Sequence, residues 1–329
     1  MAEAVFRVIH AGPYVTVQDG GRLGWQRFGV TESGPMDRGA AAMANIAAGN
    51  PADAPLIEVS IGGLILECEA GPVTIAIAGG GFIVTLDGAR FGSWQVLTVQ
   101  AGQRLVIHPG TWGSWTCLAF AGELDCPLWL GSAATHGLSG LGGGRLAKGD
   151  LLRIRDLRRL PAAPRAIPCP VWARPRMTLR ATLGPQDRHF TPQAIAALRD
   201  GTFRLTSAYD RMGVRLSGPP LDLAGALSIP SEAVLRGSVQ VAGDGVATVL
   251  LADHQTTGGY PKIATVISAD LDGFAQCRSG QAVRFRLIDP ARAVAQTRVR
   301  ARAVQATLAR LRQQAQPDTA DGRDDDHRP

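Results

Sequence analysis

The stretch ATVLLADHQTTGGYPK, residues 247–262, places an apolar run directly before a cluster of polar side chains. The apolar part, 247–252, has the length and the flanking turn residues of a buried β-strand. The polar part, 253–262, contains an acid, four polar hydrogen-bonding side chains, a glycine pair, a phenol and a lysine. A plain surface turn needs only its glycines and one or two polar residues. We therefore predict that this strand delivers polar groups to a functional site.

The rest of the chain repeats this alternation of short apolar runs and turn residues. Further runs, each bounded by Gly, Pro or Asp, lie at 64–67, 73–78, 82–86, 96–99, 104–107 and 263–267. They predict a mainly β protein with closed or sandwiched antiparallel sheets. Helix signals are few. Asp37 is predicted to cap an alanine-rich helix that extends to Ala48, and Thr191 with Pro192 is predicted to open a helix that ends near Arg199.

Two parts of the chain share landmarks at a nearly constant spacing. Asp37, Glu58, Gly63 and Gly71 recur as Asp210, Glu232, Gly237 and Gly245, at offsets of 173 or 174 residues. A repeat of this kind predicts two related modules. We expect residues 31–108 and 204–286 to superpose as two copies of one barrel, with Glu58 over Glu232.

Length and composition agree with this organisation. A chain of 329 residues suggests about two domains, and 40 glycines with 45% hydrophobic residues indicate a turn-rich globular protein. The predicted boundaries are a first module at 1–156, a linker at 157–176, a second module at 177–290 and a C-terminal segment at 291–329. Five prolines make the linker a semi-rigid spacer. The last aspartates, at 318, 321 and 324–326, predict a disordered acidic tail.

The net charge of +6 is concentrated in one segment. Residues 290–312 contain six arginines and no acid. Ala301, Val304, Leu308 and Leu311 lie at helical spacing, which predicts a short amphipathic basic helix. Because no aromatic residue interleaves the arginines, we favour a solvated or subunit-facing helix over an RNA or membrane contact. We expect neither a nucleic-acid partner nor a membrane partner.

Several kinds of site have no motif in the sequence. There is no GxxxxGK[ST] phosphate loop and no GxSxG nucleophile elbow, and the glycine-rich stretch 140–145 is predicted to be a mobile loop. The six histidines stand far apart and the five cysteines form no CxxC pair, so we expect no metal centre. Scattered thiols and the lack of a signal-peptide pattern favour a cytoplasmic protein.

Five motifs occur in a fixed order along the chain: TVQDGGRLG (16–24), SGPMD (33–37), SAYDRMGVRL (207–216), IPSEAV (229–234) and DHQTTGGYPKIATV (253–266). Together they resemble the allophanate hydrolase subunit 2 family. This family includes the C-type subunit of 5-oxoprolinase, the antagonist of the Kip kinase inhibitor and the carboxyltransferase part of urea carboxylase. The resemblance extends from about residue 5 to about residue 289 and implies that each module is a cyclophilin-like β-barrel. One departure is His254, where such proteins often carry Arg.

The candidate site residues come from the polar cluster and from matched positions in the two halves. Glu232, Asp253, Tyr260 and Lys262 are predicted to be catalytic and to face one cleft. The predicted substrate- or nucleotide-binding residues are Ser33, Asp37, Glu58, Arg211, Arg215, Gln240, Gln255, Thr256, Thr257, Gly258 and Gly259.

Some of these residues have a functional interpretation, and others also have a purely structural one. Lys262 is the best cation for a phosphate or carboxylate, and Tyr260 is a hydrogen-bond donor. Asp253 carries a charge at the end of a buried strand, so it has to be paired. A helix cap or a salt bridge would equally explain Asp37 and Glu58. At least one arginine in 211–215 is expected to anchor a structural carboxylate.

The resemblance implies three alternative functions. The favoured one is the C-type subunit of an ATP-dependent 5-oxoprolinase, which acts with B-type and A-type subunits, uses ATP and Mg²⁺, and has little or no activity alone. The second is the carboxyltransferase component of a biotin-dependent urea or amide carboxylase. The third is a non-catalytic antagonist of a kinase inhibitor. Two barrels leave no room for a biotin carrier or an ATP-dependent carboxylase module, which favours the first.

Overall fold

The apolar runs of the sequence form the strands of two β units that lie side by side. The computed structural model describes residues 3–161, 163–225 and 228–315. The strands of the first unit are β1 (Ala4–Ala11), β2 (Thr16–Gln18), β3 (Leu56–Ser60), β4 (Leu64–Ala70), β5 (Val73–Ala78), β6 (Ile83–Leu86), β7 (Ala89–Gly92), β8 (Gln95–Val99), β9 (Arg104–His108), β10 (Trp115–Phe120), β11 (Glu123–Leu124), β12 (Leu151–Arg155) and β13 (Arg165–Ala166). Those of the second unit are β14 (Thr178–Leu183), β15 (Phe203–Tyr209), β16 (Gly213–Ser217), β17 (Glu232–Ala233), β18 (Ser238–Val241), β19 (Ala247–Leu250), β20 (Thr257–Gly258), β21 (Lys262–Val266) and β22 (Ala282–Leu287).

The first unit consists of two sheets that share one apolar core. The strand orders are β11-β12-β1-β4-β9-β6-β7 and β13-β8-β5-β10-β3-β2. Every residue of β3, β5 and β10 is buried, because one face of their sheet packs on the shared core and the other on a helix. Continuous burial explains why the run 73–78 is apolar at every position except Thr74 instead of alternating.

The second unit is a closed barrel with the strand order β14-β21-β18-β19-β16-β15-β22. The strands are antiparallel, except that β14 and β22 run parallel. Alternate residues such as Val214, Val239 and Val249 point into the barrel core, which also receives Met36 and Trp115 from the first unit. The two units therefore share apolar packing. A short ribbon of β17 and β20 lies beside the barrel.

Four α-helices lie in the described part of the chain: α1 (Arg38–Ala47), α2 (Pro192–Asp200), α3 (Ser268–Ala275) and α4 (Pro290–Ala315). Of these, α1, α2 and α4 begin and end close to the residues that the sequence indicates, whereas α3 was not predicted. Asp37 caps α1 by accepting a hydrogen bond from the Ala40 amide, and Thr191 caps α2 in the same way. The predicted fold class, mainly β with a few helices and barrel architecture, is confirmed.

The predicted equivalence of Glu58 and Glu232 is wrong. Glu58 lies on β3 between two full strands, whereas Glu232 belongs to the two-residue strand β17. After the shared glycine, β18 and β19 pair as a hairpin, but β4 and β5 belong to different sheets. The sequence repeat therefore reflects similar local strand and turn patterns in the two units. It does not mean that corresponding strands pair with equivalent neighbours.

Two flanking segments pack more closely than the sequence indicates. In the proline-rich stretch 157–176, β13 pairs with β8 and extends a sheet of the first unit. On α4, Leu308 and Leu311 pack against the core under α1, and Arg300 stacks on Trp172 at 3.6 Å. Part of the basic helix thus contacts its own chain. The predicted acidic tail lies outside the described residues, and none of the helices within them is long and apolar enough to cross a membrane.

Candidate functional site

A buried ion triad joins the two units. Arg211 lies in the turn between β15 and β16, Asp253 follows β19, and Glu58 lies on β3 of the other unit. The Arg211 guanidinium donates to both carboxylate oxygens of Asp253, at 2.8 and 3.1 Å, and to Glu58. At most 2% of each of these side chains is exposed. One cation therefore neutralises carboxylates from both sides of the junction.

Two loops of the first unit complete the triad. The carbonyl oxygen of Gly34 accepts from Arg211 at 2.7 Å, and the Met36 amide donates to Glu58 at 2.6 Å. The Gly137 amide donates to Asp253 at 3.0 Å, shortly before the glycine-rich stretch 140–145 that is predicted to be mobile. Gly34 has φ +80°, a conformation that glycine adopts at little cost. The loops at 33–37 and 136–144 therefore close over the ions.

The environment shifts the two carboxylates in opposite directions. Burial raises the pKa of Asp253, but the charge and hydrogen bonds of Arg211 outweigh burial and hold that pKa below its ordinary value. For Glu58 burial prevails and raises the pKa, although Arg211 and the Met36 amide oppose it. Opposing shifts of this kind come from desolvation on one side and ion pairing on the other.

A second ion pair lies beside the β17–β20 ribbon. Lys262 donates to Glu232, and the Gln186 side-chain amide donates to the same carboxylate oxygen at 2.6 Å. The hydrogen bond from Lys262 holds the pKa of Glu232 below its ordinary value, and the bond from Gln186 adds to this. Only 5% of the Lys262 side chain is exposed, but 41% of Glu232 is. The accessible group of this pair is therefore the carboxylate.

An open cleft of about 600 Å³ lies on the outer face of β16, β19 and β18. Tyr260 forms one edge and is 49% exposed, and Tyr14 of the first unit forms another. On the floor, Gln255 donates to the Gln240 side chain at 3.0 Å. Among the described residues the other amide atom of Gln240, Nε2, is buried without a hydrogen-bond partner. Other lining residues include Ser207, Tyr209, Asp210, Met212, Gly213, Arg215, Asp244 and Thr248.

The structure divides the sequence-predicted residues among several places. Of the four catalytic candidates only Tyr260 lines the cleft, so the prediction that all four face one cleft is wrong. Asp253 is instead buried against the first unit. Lys262 is also buried, and its ammonium group donates to Glu232. Arg215, Gln240 and Gln255 line the cleft with Tyr260, while Arg211, Glu58 and Ser33 are buried at the junction.

The remaining candidates have structural contacts. Asp37 caps α1 and also accepts from Gln276 at 2.8 Å. Thr257 and Gly258 form β20, and the carbonyl oxygens of Thr256 and Gly259 accept backbone hydrogen bonds from the segment 229–234. The roles of all these residues in catalysis or binding stay predictions.

Sequence reasoning missed several polar residues at these sites: Tyr14, Gln186 and the cleft-lining residues Ser207, Tyr209, Asp210, Asp244 and Thr248. Tyr14 lines the cleft and Gln186 binds Glu232. Both follow a Gly-Pro turn at the end of a strand, in Gly-Pro-Tyr after β1 and Gly-Pro-Gln after β14. The Gly-Pro pair indicates a turn, but after β4 the same pair precedes the buried Val73, so it does not single out site residues.

Comparison with known proteins supports one family. The model of the carboxyltransferase domain, subdomains A and B, matches residues 28–287. The chain belongs to this carboxyltransferase-domain family. The C-type subunit of the 5-oxoprolinase of Escherichia coli (strain K12) is 37% identical over 285 residues, which cover 85% of this chain and 90% of that protein. The protein of the same name from Haemophilus influenzae is 35% identical and covers 83% of this chain and 88% of its own length.

A solved structure of the family extends the likeness to the fold. The urea carboxylase of Kluyveromyces lactis matches with a TM-score of 0.83 and 26% sequence identity. The match covers 93% of this chain but only 29% of the urea carboxylase chain. The arrangement of two β units is thus shared with one part of a much longer enzyme.

Proposed function

We propose that this chain is the C-type subunit of an ATP-dependent 5-oxoprolinase. The observation that carries the proposal is the mutual coverage with the 5-oxoprolinase subunits, which align over 88–90% of their own length. The likeness to urea carboxylase covers 29% of that chain. The chain therefore corresponds to most of a 5-oxoprolinase subunit but to only a fraction of the urea enzyme.

The proposed overall reaction converts 5-oxoproline, ATP and two water molecules into glutamate, ADP and phosphate. A lactam carbonyl is a poor electrophile, so the γ-phosphoryl group is first transferred to its oxygen. One water then breaks the ring C–N bond, and a second water releases phosphate from the resulting acyl phosphate. Phosphoryl transfer depends mainly on positioning and on charge stabilisation, so the protein has to supply oriented donors and cations. A cleft with phenol, amide and guanidinium groups offers donors of this kind.

We assign the lactam to the cleft beside Tyr260. The exposed phenol of Tyr260 donates to the lactam oxygen, and the half-exposed guanidinium of Arg215, paired with Asp244 at 2.5 Å, holds the substrate carboxylate. Gln255 fixes the orientation of the Gln240 amide on the floor. These are binding and orienting roles, and the proposal rests on their joint position in one cleft.

The buried triad serves this site indirectly. Arg211 is flanked by Asp210 and Met212, which both line the cleft. Its bonds to Asp253 and Glu58 therefore fix the turn that forms one wall. In this proposal Asp253, predicted from the sequence to be catalytic, is a positioning residue.

The proposed need for ATP and Mg²⁺ concerns the assembled enzyme. Lys262, predicted to bind phosphate, already neutralises Glu232 and has only 5% of its side chain exposed. Within the described residues no group of three or more His, Cys, Asp or Glu side chains is arranged to hold a metal. The residues present do not fit a self-sufficient nucleotide site, and we derive no step of this chain through the nucleotide.

The test is reconstitution with purified B-type and A-type subunits. We expect 5-oxoproline-dependent ATP hydrolysis and glutamate formation from the complete mixture, and little or none when this chain is omitted or present alone. ATP hydrolysis that does not respond to 5-oxoproline would overturn the proposal.

A second candidate is a carboxyltransferase acting with a biotin carrier. It is favoured by the family model and by the structural likeness to urea carboxylase. The same cleft would then orient an amide or urea toward a carboxylated biotin. Carboxylation that requires bicarbonate and a biotinylated carrier protein would support this candidate against the first.

A further inference from the structure

We infer that an apolar surface formed by two loops of the first unit is the docking site for another protein subunit of the same enzyme. We call it the tryptophan patch; this inference rests on the proposed function. Its most exposed members are Leu23, Phe28 and Leu128, at 67%, 61% and 64%. Half-buried Trp25 lies beside Phe28, with ring centroids 5.7 Å apart, and half-buried Trp129 follows Leu128.

The patch is held in shape by a buried arginine. Arg22 is 1% exposed, donates to the carbonyl oxygens of Trp129 and Ala134 at 2.8 and 2.7 Å, and stacks under the Trp129 ring at 4.3 Å. It thereby joins the 22–28 loop to the 128–134 loop. Because this apolar surface is preformed, a partner can bind it without a large cost in conformational entropy. A patch of exposed aromatic and leucine side chains is typical of a protein interaction site.

The composition indicates the chemistry of the partner. Trp, Phe and Arg are the residues enriched at the centres of protein interfaces. Arg27 is exposed, stacks on Phe28 at 4.7 Å, and among the described residues has no carboxylate within 4.0 Å. The complementary surface would therefore present apolar side chains with a carboxylate facing Arg27. Relatives that are named as one subunit of 5-oxoprolinase make a partner subunit the fitting occupant.

The patch is connected to the ion triad through the same chain segment. A few residues beyond Phe28, the Thr31 hydroxyl donates to the Ala252 carbonyl oxygen at 3.4 Å, directly before Asp253. Gly34 then contacts Arg211. A subunit docked on the patch would thus rest on a loop that closes over the triad.

The test uses the full chain with purified B-type and A-type subunits. In the double variant Phe28→Glu with Leu128→Glu, we expect the dissociation constant for the partner to rise about 30-fold or more, the effect of losing a hot spot of ~2 kcal/mol. The matched control places the same charges on exposed valines elsewhere, Val171→Glu with Val299→Glu, which are 90% and 65% exposed. We expect the control to bind within about 2-fold of wild type, and both variants to melt as wild type does.

The outcomes of this experiment distinguish a partner subunit from a second copy of this chain as the protein that binds the tryptophan patch. Equal binding by the patch variant and wild type, or no complex of the wild-type chain with either subunit, would overturn the inference. A wild-type chain that dimerises alone, and loses the dimer in the patch variant, would assign the patch to a second copy and overturn it as well. A complex that forms through the patch without 5-oxoproline-dependent ATP hydrolysis would refute the proposed function but leave the docking site standing.

Discussion

Arg211 and Lys262 are both barrel cations paired with carboxylates, yet their surroundings differ. Arg211 sits between Asp253 and Glu58, and neither carboxylate is more than 1% exposed. Lys262 is almost as buried, but its partner Glu232 keeps 41% of its side chain in solvent. The exposure of the anion, more than that of the cation, separates the two pairs.

The difference has energetic consequences. Removing one member of a buried ion pair leaves a charge without compensation in a medium of low dielectric, which is strongly destabilising. An anion in solvent is hydrated when its partner is lost, so an exposed pair contributes little. The Arg211 triad therefore holds the two units together, while the Lys262 pair leaves the Glu232 carboxylate in solvent.

The largest expected effect comes from breaking the triad. Arg211→Met leaves Asp253 and Glu58 buried side by side without their cation, and we expect the free energy of unfolding to fall by ~3–5 kcal/mol. Arg215→Met is the matched control, because the Arg215–Asp244 pair is half exposed on both sides and should cost ~0–1 kcal/mol. Chemical denaturation of both variants measures the difference. Equal losses in the two would show that the triad does not hold the junction.

The second prediction concerns the pH dependence of stability that arises from Asp37, a carboxylate that also lies between the two units. Burial, followed by the nearby charge of Asp272, raises the pKa of Asp37 to about 7, against the opposing bonds from Gln276 and the Ala40 amide. In the unfolded chain Asp titrates near ~3.9. Between these two pKa values, Asp37 is therefore protonated in the native protein but ionised in the unfolded chain. The stability from this group is full below about pH 4 and is lost as pH rises through about 7.

Asp37→Asn tests this while keeping the helix cap, since Asn caps helices as well as Asp does. Relative to the variant, wild type should lose on the order of 2–4 kcal/mol of unfolding free energy between pH 5 and pH 8. Denaturant unfolding at both pH values measures it. Parallel pH profiles for the two proteins would contradict the shifted pKa.

Much of the fold could be predicted because strands and caps are local properties. The run 73–78 is β5 to the residue, and Asp37 and Thr191 cap helices as their sequence positions indicate. The equivalence of Glu58 with Glu232 failed because strand pairing depends on residues far away in the chain. Offsets in sequence contain no information on which strand lies beside which.

The site was harder to predict for the same reason. The position of Asp253 at the end of a strand indicated a charge needing a partner, which is correct, and Arg211 is that partner. Its burial comes from loops of the other unit, at Gly34 and Gly137, more than 100 residues away in sequence. A polar cluster that is continuous in sequence thus divides in space between a structural junction and an open cleft.

The third prediction sharpens the comparison at the cleft. Tyr260→Phe removes one exposed hydroxyl, and we expect 5-oxoproline-dependent ATP hydrolysis by the assembled enzyme to fall ~10-fold or more, the scale of losing one positioned donor. The melting temperature should not change, because no hydrogen bond of the phenol to a described residue is present. Tyr209→Phe is a useful contrast, since that hydroxyl donates to Ala275 at 2.5 Å and its loss should lower stability. Full activity of Tyr260→Phe would remove the phenol from the proposed site.

The smallest expected effect is on the stability of Lys262→Met. Methionine fills the buried space of the lysine stem, and Glu232 retains water and the hydrogen bond from Gln186. We therefore expect a loss of only ~0.5–1 kcal/mol in unfolding free energy, far below that of Arg211→Met. Glu232→Gln instead leaves the nearly buried ammonium of Lys262 without its anion, so it should cost more than Lys262→Met. A loss of ~3 kcal/mol or more in Lys262→Met would mean that the exposure of the anion does not decide the strength of these pairs.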